Sequence, residues 1–89
     1  MTAVVIHEYA VADAGSGPYA VTTGPDGALW FTEWGGNRIG SITPDGVVEV
    51  HDLPTRRSEP HGITLGPDGA IWTALETGAL ARLGSTPVA

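Results

Sequence analysis

The sequence predicts an all-β protein built from the blades of a β-propeller. Three observations carry this prediction. A tandem repeat of about 42 residues runs through the 89-residue chain, and short β-branched and aromatic runs alternate with Pro-Asp-Gly and Gly-Gly turn signals. No segment shows the apolar 3.6-residue period and caps of a helix. A repeat of this length, made of several short strands, is typical of a four-stranded propeller blade.

The repeat is clearest at its turns. An offset of 42 residues places the pentapeptide Gly-Pro-Asp-Gly-Ala at 24–28 on an identical pentapeptide at 66–70. The same offset places residues 6–11 on residues 48–53, so that the repeat reaches nearly to Met1. After the second pentapeptide one residue is deleted, and the apolar pattern then continues.

The turn signals divide each blade into strands, which we name A to D in chain order. Residues 1–12 align with a D strand and are predicted to be the outer strand of a preceding blade. Residues 17–54 form one complete blade, and residues 59–89 form a blade that lacks its outer strand. The strands predicted for these two blades are Tyr19–Thr23, Ala28–Glu33, Arg38–Thr43, Val47–Leu53, His61–Leu65, Ala70–Leu75 and Ala79–Leu83.

About two blades cannot close a ring, because propellers contain typically four to eight. The isolated chain is therefore predicted to be open, with unpaired strand edges. Two interpretations follow. Either the chain is the C-terminal part of a longer protein, or several copies assemble and each N-terminal strand completes the last blade of a neighbour. We prefer the first interpretation.

Composition removes several classes of function. Ten acidic residues stand against four Arg and no Lys, for a formal net charge of −6, so no basic face is available for a nucleic acid. No apolar run approaches the roughly 18 residues that cross a bilayer, and the first residues lack the features of a signal peptide. The absence of Cys excludes disulfides and a thiol nucleophile. We expect a cytoplasmic protein with neither a membrane nor a nucleic-acid partner.

One cluster of residues has the pattern of a reactive site. If the Pro-Asp pair at 67–68 is the centre of the A–B turn, paired residue numbers sum to 135 and Glu59 faces Glu76. Directly opposed like charges destabilise a strand pair, so a positive group is expected between them. His61 has the parity of Glu59 and points to the same side of an extended strand. This set suits Mg²⁺, and also Mn²⁺ or Zn²⁺; alternatively, the glutamates are solvated and the histidine only packs.

The same residues carry a resemblance to a known family. Residues 58–63 read Ser-Glu-Pro-His-Gly-Ile, and Ala-Leu-Glu occupies 74–76. These motifs resemble the C-terminal part of the virginiamycin B lyases, also called streptogramin lyases. Residues 29–40, Leu-Trp-Phe-Thr-Glu-Trp-Gly-Gly-Asn-Arg-Ile-Gly, resemble the preceding blade of that family. The resemblance covers essentially the whole chain, but only about two blades of the seven-bladed propeller that it implies.

The resemblance implies a Mg²⁺-dependent lyase that linearises type B streptogramin antibiotics by elimination at the threonyl ester, and hence a role in antibiotic resistance. It implies that Glu59 and Glu76 are the metal ligands and that His61 is the catalytic proton acceptor. A proton next to a carbonyl is only weakly acidic, so both a positioned base and a cation are needed. The expected partner is a small cyclic depsipeptide. The full-length family form is expected to be a monomer, whereas this short chain needs missing blades or self-assembly.

Two aromatic residues are predicted to bind the substrate. Tyr19 occupies the position at which the family has a second histidine for substrate contact. Trp34 occupies the slot in its blade that Glu76 occupies in the next. Alternatively, Tyr19 indicates a different substrate or an inactive relative, and Trp34 packs against a neighbouring blade. The alternatives to a lyase are therefore a non-catalytic propeller module that binds a ligand or protein, and an inactive fragment.

Overall fold

A computed structural model of the chain describes residues 3–84 and contains two antiparallel sheets. The all-β prediction is confirmed. Each sheet follows the order of its strands along the chain, as in a propeller blade. No helix in residues 3–84 is long and apolar enough to span a membrane. The four-stranded sheet and then the three-stranded sheet comprise β1 Pro18–Thr23, β2 Leu29–Glu33, β3 Arg38–Ile42, β4 Val48–Asp52, β5 Pro60–Leu65, β6 Ile71–Leu75 and β7 Leu80–Leu83.

The turn between the first two strands of each blade is held by an aspartate. In the second blade, Asp68 Oδ1 accepts hydrogen bonds from the N–H of Ala70 at 3.2 Å and from Nε1 of Trp72 at 2.9 Å. Its Oδ2 accepts from Nε of Arg82 at 2.7 Å. The bonds from Trp72 and Arg82 hold the pKa of this carboxyl well below its usual range. The next residue, Gly69, has a φ of 80°, which glycine adopts without steric cost. The repeated sequence therefore encodes a repeated, locally satisfied turn.

The core lies between the sheets and within each blade. Strand β1 lies alongside β5, and β2 also contacts β5, so the first strands of the two blades are neighbours. Ile39 and Ile71 are almost fully buried. The ring of Phe31 lies directly over Gly40, where a β-carbon would approach it to 2.3 Å. The two blades therefore pack through their first strands, and this packing sets the position of the candidate site.

The outer strand predicted for residues 1–12 has no partner strand among the described residues. Residues 3–11 form no strand with any other described segment, and Val4 and Ile6 are 87% and 80% exposed. A strand needs a hydrogen-bonded neighbour, and the blade to which this one was assigned is not in the chain. The division into 1–12, 17–54 and 59–89 stays a prediction, and residues 85–89 lie outside the described range.

The pairing of β5 with β6 differs from the prediction near the turn. Residue numbers of partners sum to 136 for Ile63 and Thr73, and to 135 for Pro60 and Leu75, because an irregularity lies between Pro60 and Ile63. The uniform sum of 135 was therefore wrong near the turn. The sum of 135 holds at the far end, where the extra residue of a β-bulge restores it.

Candidate functional site at the end of the second blade

Both blades interrupt their first strand at the same place. Register shifts occur between Pro18 and Val21 in β1 and between Pro60 and Ile63 in β5. β-Bulges bend a strand and re-aim its side chains, and they are common next to active sites. The local geometry of this end of each blade is thus set by the bulge rather than by regular alternation.

Glu59 directly precedes β5 and Glu76 directly follows β6, so the two glutamates lie at the same end of this strand pair. The N–H of Glu76 donates to the carbonyl oxygens of Ser58 at 2.9 Å and Glu59 at 3.3 Å. Glu59 has a φ of 50°, in the left-handed region that costs most residues about 1–2 kcal/mol. Because Ser58 is fully buried, the chain on either side of Glu59 is fixed. A strained glutamate held between a buried residue and a strand is the kind of feature that collects at functional sites.

His61 contacts one of these glutamates directly. Its Nε2 atom lies 2.9 Å from Oε2 of Glu76, and the two side chains are 33% and 62% exposed. The Nε2 atom itself is buried and lacks a partner with hydrogen-bond geometry. At this distance the Glu76 carboxylate can stabilise the imidazole when Nε2 carries a proton.

The third member of the predicted cluster does not join this contact. In residues 3–84, no group of three His, Cys, Asp or Glu side chains converges on one point. The prediction that Glu59 and His61 point to one side relied on a regular extended strand. The left-handed φ of Glu59 and the bulge that follows it break that alternation. Residues 3–84 therefore supply one close imidazole–carboxylate pair, His61 with Glu76, and a second carboxylate, that of Glu59, which does not converge with it.

The predicted substrate-binding residues are at the same end of the blades. The ring of Tyr19 meets the ring of His61 edge-to-face, with centroids 5.4 Å apart and planes at 89°. Tyr19 and Trp34 are 66% and 44% exposed, so both rings are accessible to solvent. The N–H of Trp34 donates to the carbonyl of Gly17 at 3.0 Å, the same frame that holds Glu76 in the next blade.

Sequence reasoning missed the residue that holds the loop before Glu59. Asn37 donates from Nδ2 to the carbonyl of Thr55 at 2.9 Å and accepts at Oδ1 from the N–H of Ser58 at 2.8 Å. Its own carbonyl accepts from the N–H of Leu53 at 3.0 Å. Its φ of 56° is a conformation that asparagine tolerates better than most residues. An Asn after a Gly-Gly pair was the available signal, but only the fold brings the 53–58 loop to it.

A second missed residue is Thr32, which is fully buried at the contact between the blades. Its hydroxyl donates to the carbonyl oxygen of His61 at 2.9 Å. The hydroxyl oxygen of Thr32, Oγ1, in turn accepts a hydrogen bond from the N–H of Ala20 at 3.1 Å. No sequence signal points to Thr32, because alternating threonines are ordinary in strands.

The fold and the site together define a class. The chain is a pair of propeller blades with polar and aromatic side chains gathered at one end, where a histidine contacts a glutamate. A family profile described as the virginiamycin B lyase family matches residues 1–83, and the chain belongs to that family.

Individual relatives agree with this assignment. A virginiamycin B lyase of Saccharopolyspora erythraea is 56% identical over 50 residues, which are 56% of this chain and 17% of the relative. A virginiamycin B lyase of Bacillus licheniformis is 54% identical over 39 residues, 44% of this chain and 13% of the relative. The chain thus spans less than a fifth of the length of these relatives.

Solved structures of the family have the same blade geometry. The catalytically inactive histidine-to-alanine variant of virginiamycin B lyase from Staphylococcus aureus, crystallised with quinupristin, superposes with a TM-score of 0.77 at 41% identity. The match covers 88% of this chain and 30% of that one. A streptogramin B lyase structure superposes with a TM-score of 0.73 at 40% identity over 85% of this chain and 29% of that one.

Proposed function

We propose that the chain is the C-terminal active-site portion of a Mg²⁺-dependent carbon–oxygen lyase that linearises type B streptogramin antibiotics. The observation that carries this proposal is the contact between His61 Nε2 and Glu76 Oε2 at 2.9 Å, in which the buried nitrogen has no hydrogen-bond partner. Membership of the virginiamycin B lyase family supports the reaction class. The Staphylococcus aureus relative is inactive when one of its histidines is replaced by alanine, which supports a histidine base.

The proposed elimination assigns one role to each group. His61 takes the proton from the threonyl α-carbon, so that the carbon–hydrogen bond breaks and its electron pair forms the α–β double bond. The bond between the β-carbon and the ester oxygen breaks, and the carboxylate leaves with that electron pair. The ring opens without water. Glu76, in contact with His61, orients the imidazole and stabilises it once it carries the proton.

The carboxylates of Glu59 and Glu76 are oxygen donors of the kind that Mg²⁺ prefers, although no three potential ligands converge in residues 3–84. Glu59 and Glu76 would hold the ion, and when bound it supplies positive charge that stabilises the developing negative charge on the substrate carbonyl. Tyr19 and Trp34 would flank the substrate with exposed aromatic faces, which suit a cyclic depsipeptide that carries aromatic groups. A cytoplasmic location is part of the same proposal.

Mass spectrometry with chromatography tests the reaction. A type B streptogramin is incubated with the chain and Mg²⁺, and elimination is expected to change its retention time while leaving its mass unchanged; hydrolysis would add one water. Glu59→Gln and His61→Ala are expected to abolish the product, because one removes a ligand charge and the other the base. Glu49→Gln, on an exposed edge of the first blade, is the matched control and should retain it.

The outcomes separate the possibilities. A product of unchanged mass that depends on Glu59 and His61 supports a lyase site contained in this chain. A product whose mass increases by one water contradicts the elimination. If no product forms, the claim that this chain alone is an enzyme is wrong.

A non-catalytic binding module is the second candidate function. The observation that favours it is Tyr19, which stands where the family resemblance expects a histidine and whose ring packs on the ring of His61. Titration of the unlabelled antibiotic into ¹⁵N-labelled chain distinguishes the two. Saturable shifts at Tyr19 and Trp34 without product favour the binding module.

A further inference from the structure

A buried hydroxyl group of the preceding blade contacts the backbone of the candidate site. Thr32, in β2 of the first blade, donates from Oγ1 to the backbone carbonyl of His61 at 2.9 Å. The two residues are 29 positions apart in the sequence, so this hydrogen bond joins one blade to the next. Thr32 is fully buried, and its partner is the backbone of the residue proposed as the base.

The same hydroxyl also reaches the first blade's own bulge. Oγ1 of Thr32 accepts from the N–H of Ala20 at 3.1 Å. Ala20 and His61 each lie inside an irregular stretch, between Pro18 and Val21 in one strand and between Pro60 and Ile63 in the other. A bulge leaves backbone groups outside the strand ladder, and buried ones must be satisfied elsewhere. Thr32 satisfies one donor and one acceptor with a single hydroxyl.

The hydrogen bonds of Thr32 affect the side chains of both Tyr19 and His61. Tyr19 precedes Ala20, and its ring meets the ring of His61 with centroids 5.4 Å apart. Fixing the backbone at Ala20 and at His61 fixes the origin and direction of both side chains relative to each other. In the second blade the residue that corresponds to Thr32 is Ala74, which has no hydroxyl. The second blade therefore forms its sheet without a hydroxyl group at this position.

We propose that Thr32 is a positioning residue that sets the orientation of His61 relative to Tyr19 and Glu76. It touches neither substrate nor metal, and it acts through the backbone of His61. The proposal rests on the proposed function only in treating His61 as the base. The relative orientation of the His61 and Tyr19 rings can be measured without turnover. The positioning role of Thr32 and the proposed lyase function can therefore fail separately.

The test compares two variants of the full chain by NMR. Thr32→Val keeps the shape of the side chain and removes the hydroxyl, so it deprives the His61 carbonyl of its donor and leaves the Ala20 N–H without an acceptor. Thr32→Ser restores the hydroxyl. We expect the nuclear Overhauser effects between the Tyr19 and His61 rings to weaken at least severalfold in Thr32→Val and to return in Thr32→Ser.

A buried threonine in the second blade provides the matched control. Thr73 is 2% exposed, and its hydroxyl donates to the carbonyl of Gly62 at 2.7 Å within its own blade. Thr73→Val thus loses a similar bond that does not cross between the blades. It is expected to retain the contact between the Tyr19 and His61 rings. An equal loss in Thr73→Val would show that any buried hydroxyl near the bulge has this effect, and would overturn the proposal.

Two further measurements test the positioning role of Thr32. Unchanged ring contacts in a folded Thr32→Val variant would overturn the proposal. If that variant fails to fold, the unmodified chain is used instead: a slowly exchanging Thr32 hydroxyl proton close to the α-proton of His61 is expected, and its absence overturns the proposal. Where the chain turns over an antibiotic, Thr32→Val should lower the rate about a hundredfold for a displacement of about 1 Å, and Thr32→Ser should restore it.

Discussion

The two blades share one backbone frame and use it for different purposes. Gly17 and Glu59 occupy equivalent positions with φ values of 59° and 50°. The carbonyl of Gly17 accepts from the N–H of Trp34 at 3.0 Å, and that of Glu59 accepts from the N–H of Glu76 at 3.3 Å. The backbone conformation is therefore a property of the repeat. The groups proposed for proton transfer and metal binding, His61, Glu59 and Glu76, lie in the second copy.

The two blades differ in the side chains at the end of their second strand and the start of their third. The carboxylate of Glu33 in the first blade is fully buried, and its Oε1 lies 3.3 Å from Nε of Arg38, whose side chain is 26% exposed. The corresponding residues of the second blade are Leu75 and Ala79. Equivalent positions thus hold an ion pair in the first blade and two apolar side chains in the second. The fold of the repeat does not require this ion pair, because the second blade adopts the same sheet without it.

The largest expected effect comes from breaking that ion pair. Arg38→Ala leaves the buried Glu33 carboxylate without its counter-charge, and we expect a loss of about 3 kcal/mol in the free energy of unfolding. The double variant Glu33→Leu/Arg38→Ala copies the second blade and should recover stability to within about 1 kcal/mol of the unmodified chain. Urea unfolding followed by tryptophan fluorescence measures both. A double variant as unstable as Arg38→Ala would contradict the equivalence of the two slots.

A smaller effect is expected at the strained glutamate. Glu59→Gly copies Gly17 and relieves a left-handed conformation, whereas Glu59→Ala keeps the β-carbon that makes it unfavourable. We expect Glu59→Gly to be about 1 kcal/mol more stable than Glu59→Ala, although both lose the carboxylate. Thermal unfolding of the two variants side by side measures this difference. Equal stabilities would mean that the local backbone relaxes and that no strain is stored at the site.

The smallest expected effect is a pH dependence confined to the first blade. Burial raises the pKa of Glu33 above its ordinary value of 4.5, and the nearby Arg38 only partly opposes this. The folded chain therefore binds this proton more tightly than the unfolded chain. The resulting stabilisation is fully present below 4.5 and is lost as the pH rises through the raised pKa.

Unfolding measured between pH 4.5 and neutral tests this dependence. The Glu33→Leu/Arg38→Ala variant should lose the slope that the unmodified chain shows. Asp26 and Asp68 titrate outside this window, because hydrogen bonds from their tryptophan partners lower the pKa of each below its ordinary value of 3.8. A slope of the opposite sign would contradict the burial of Glu33 as a charged group.

Local chemistry made much of the fold predictable. The 42-residue offset, the turn sequences and the β-branched runs placed all seven strands of the two blades to within a residue or two at each end. Pro-Asp-Gly turns and strand propensities act over a few neighbouring residues, so they can be read from the sequence. The backbone hydrogen bond between Glu76 and Glu59, by contrast, depends on the irregularity in β5, which turn chemistry does not reveal.

The sequence by itself determined the repeat, its turns, the family and the residue types that gather at one end of the blades. Only the tertiary structure decided how those side chains are aimed. A left-handed residue and a bulge separate Glu59 from the contact between His61 and Glu76. A hydroxyl from the preceding blade fixes the backbone of His61 across 29 positions of sequence. Strand alternation is a local rule, whereas bulges and contacts between blades depend on groups that meet only when the chain has folded.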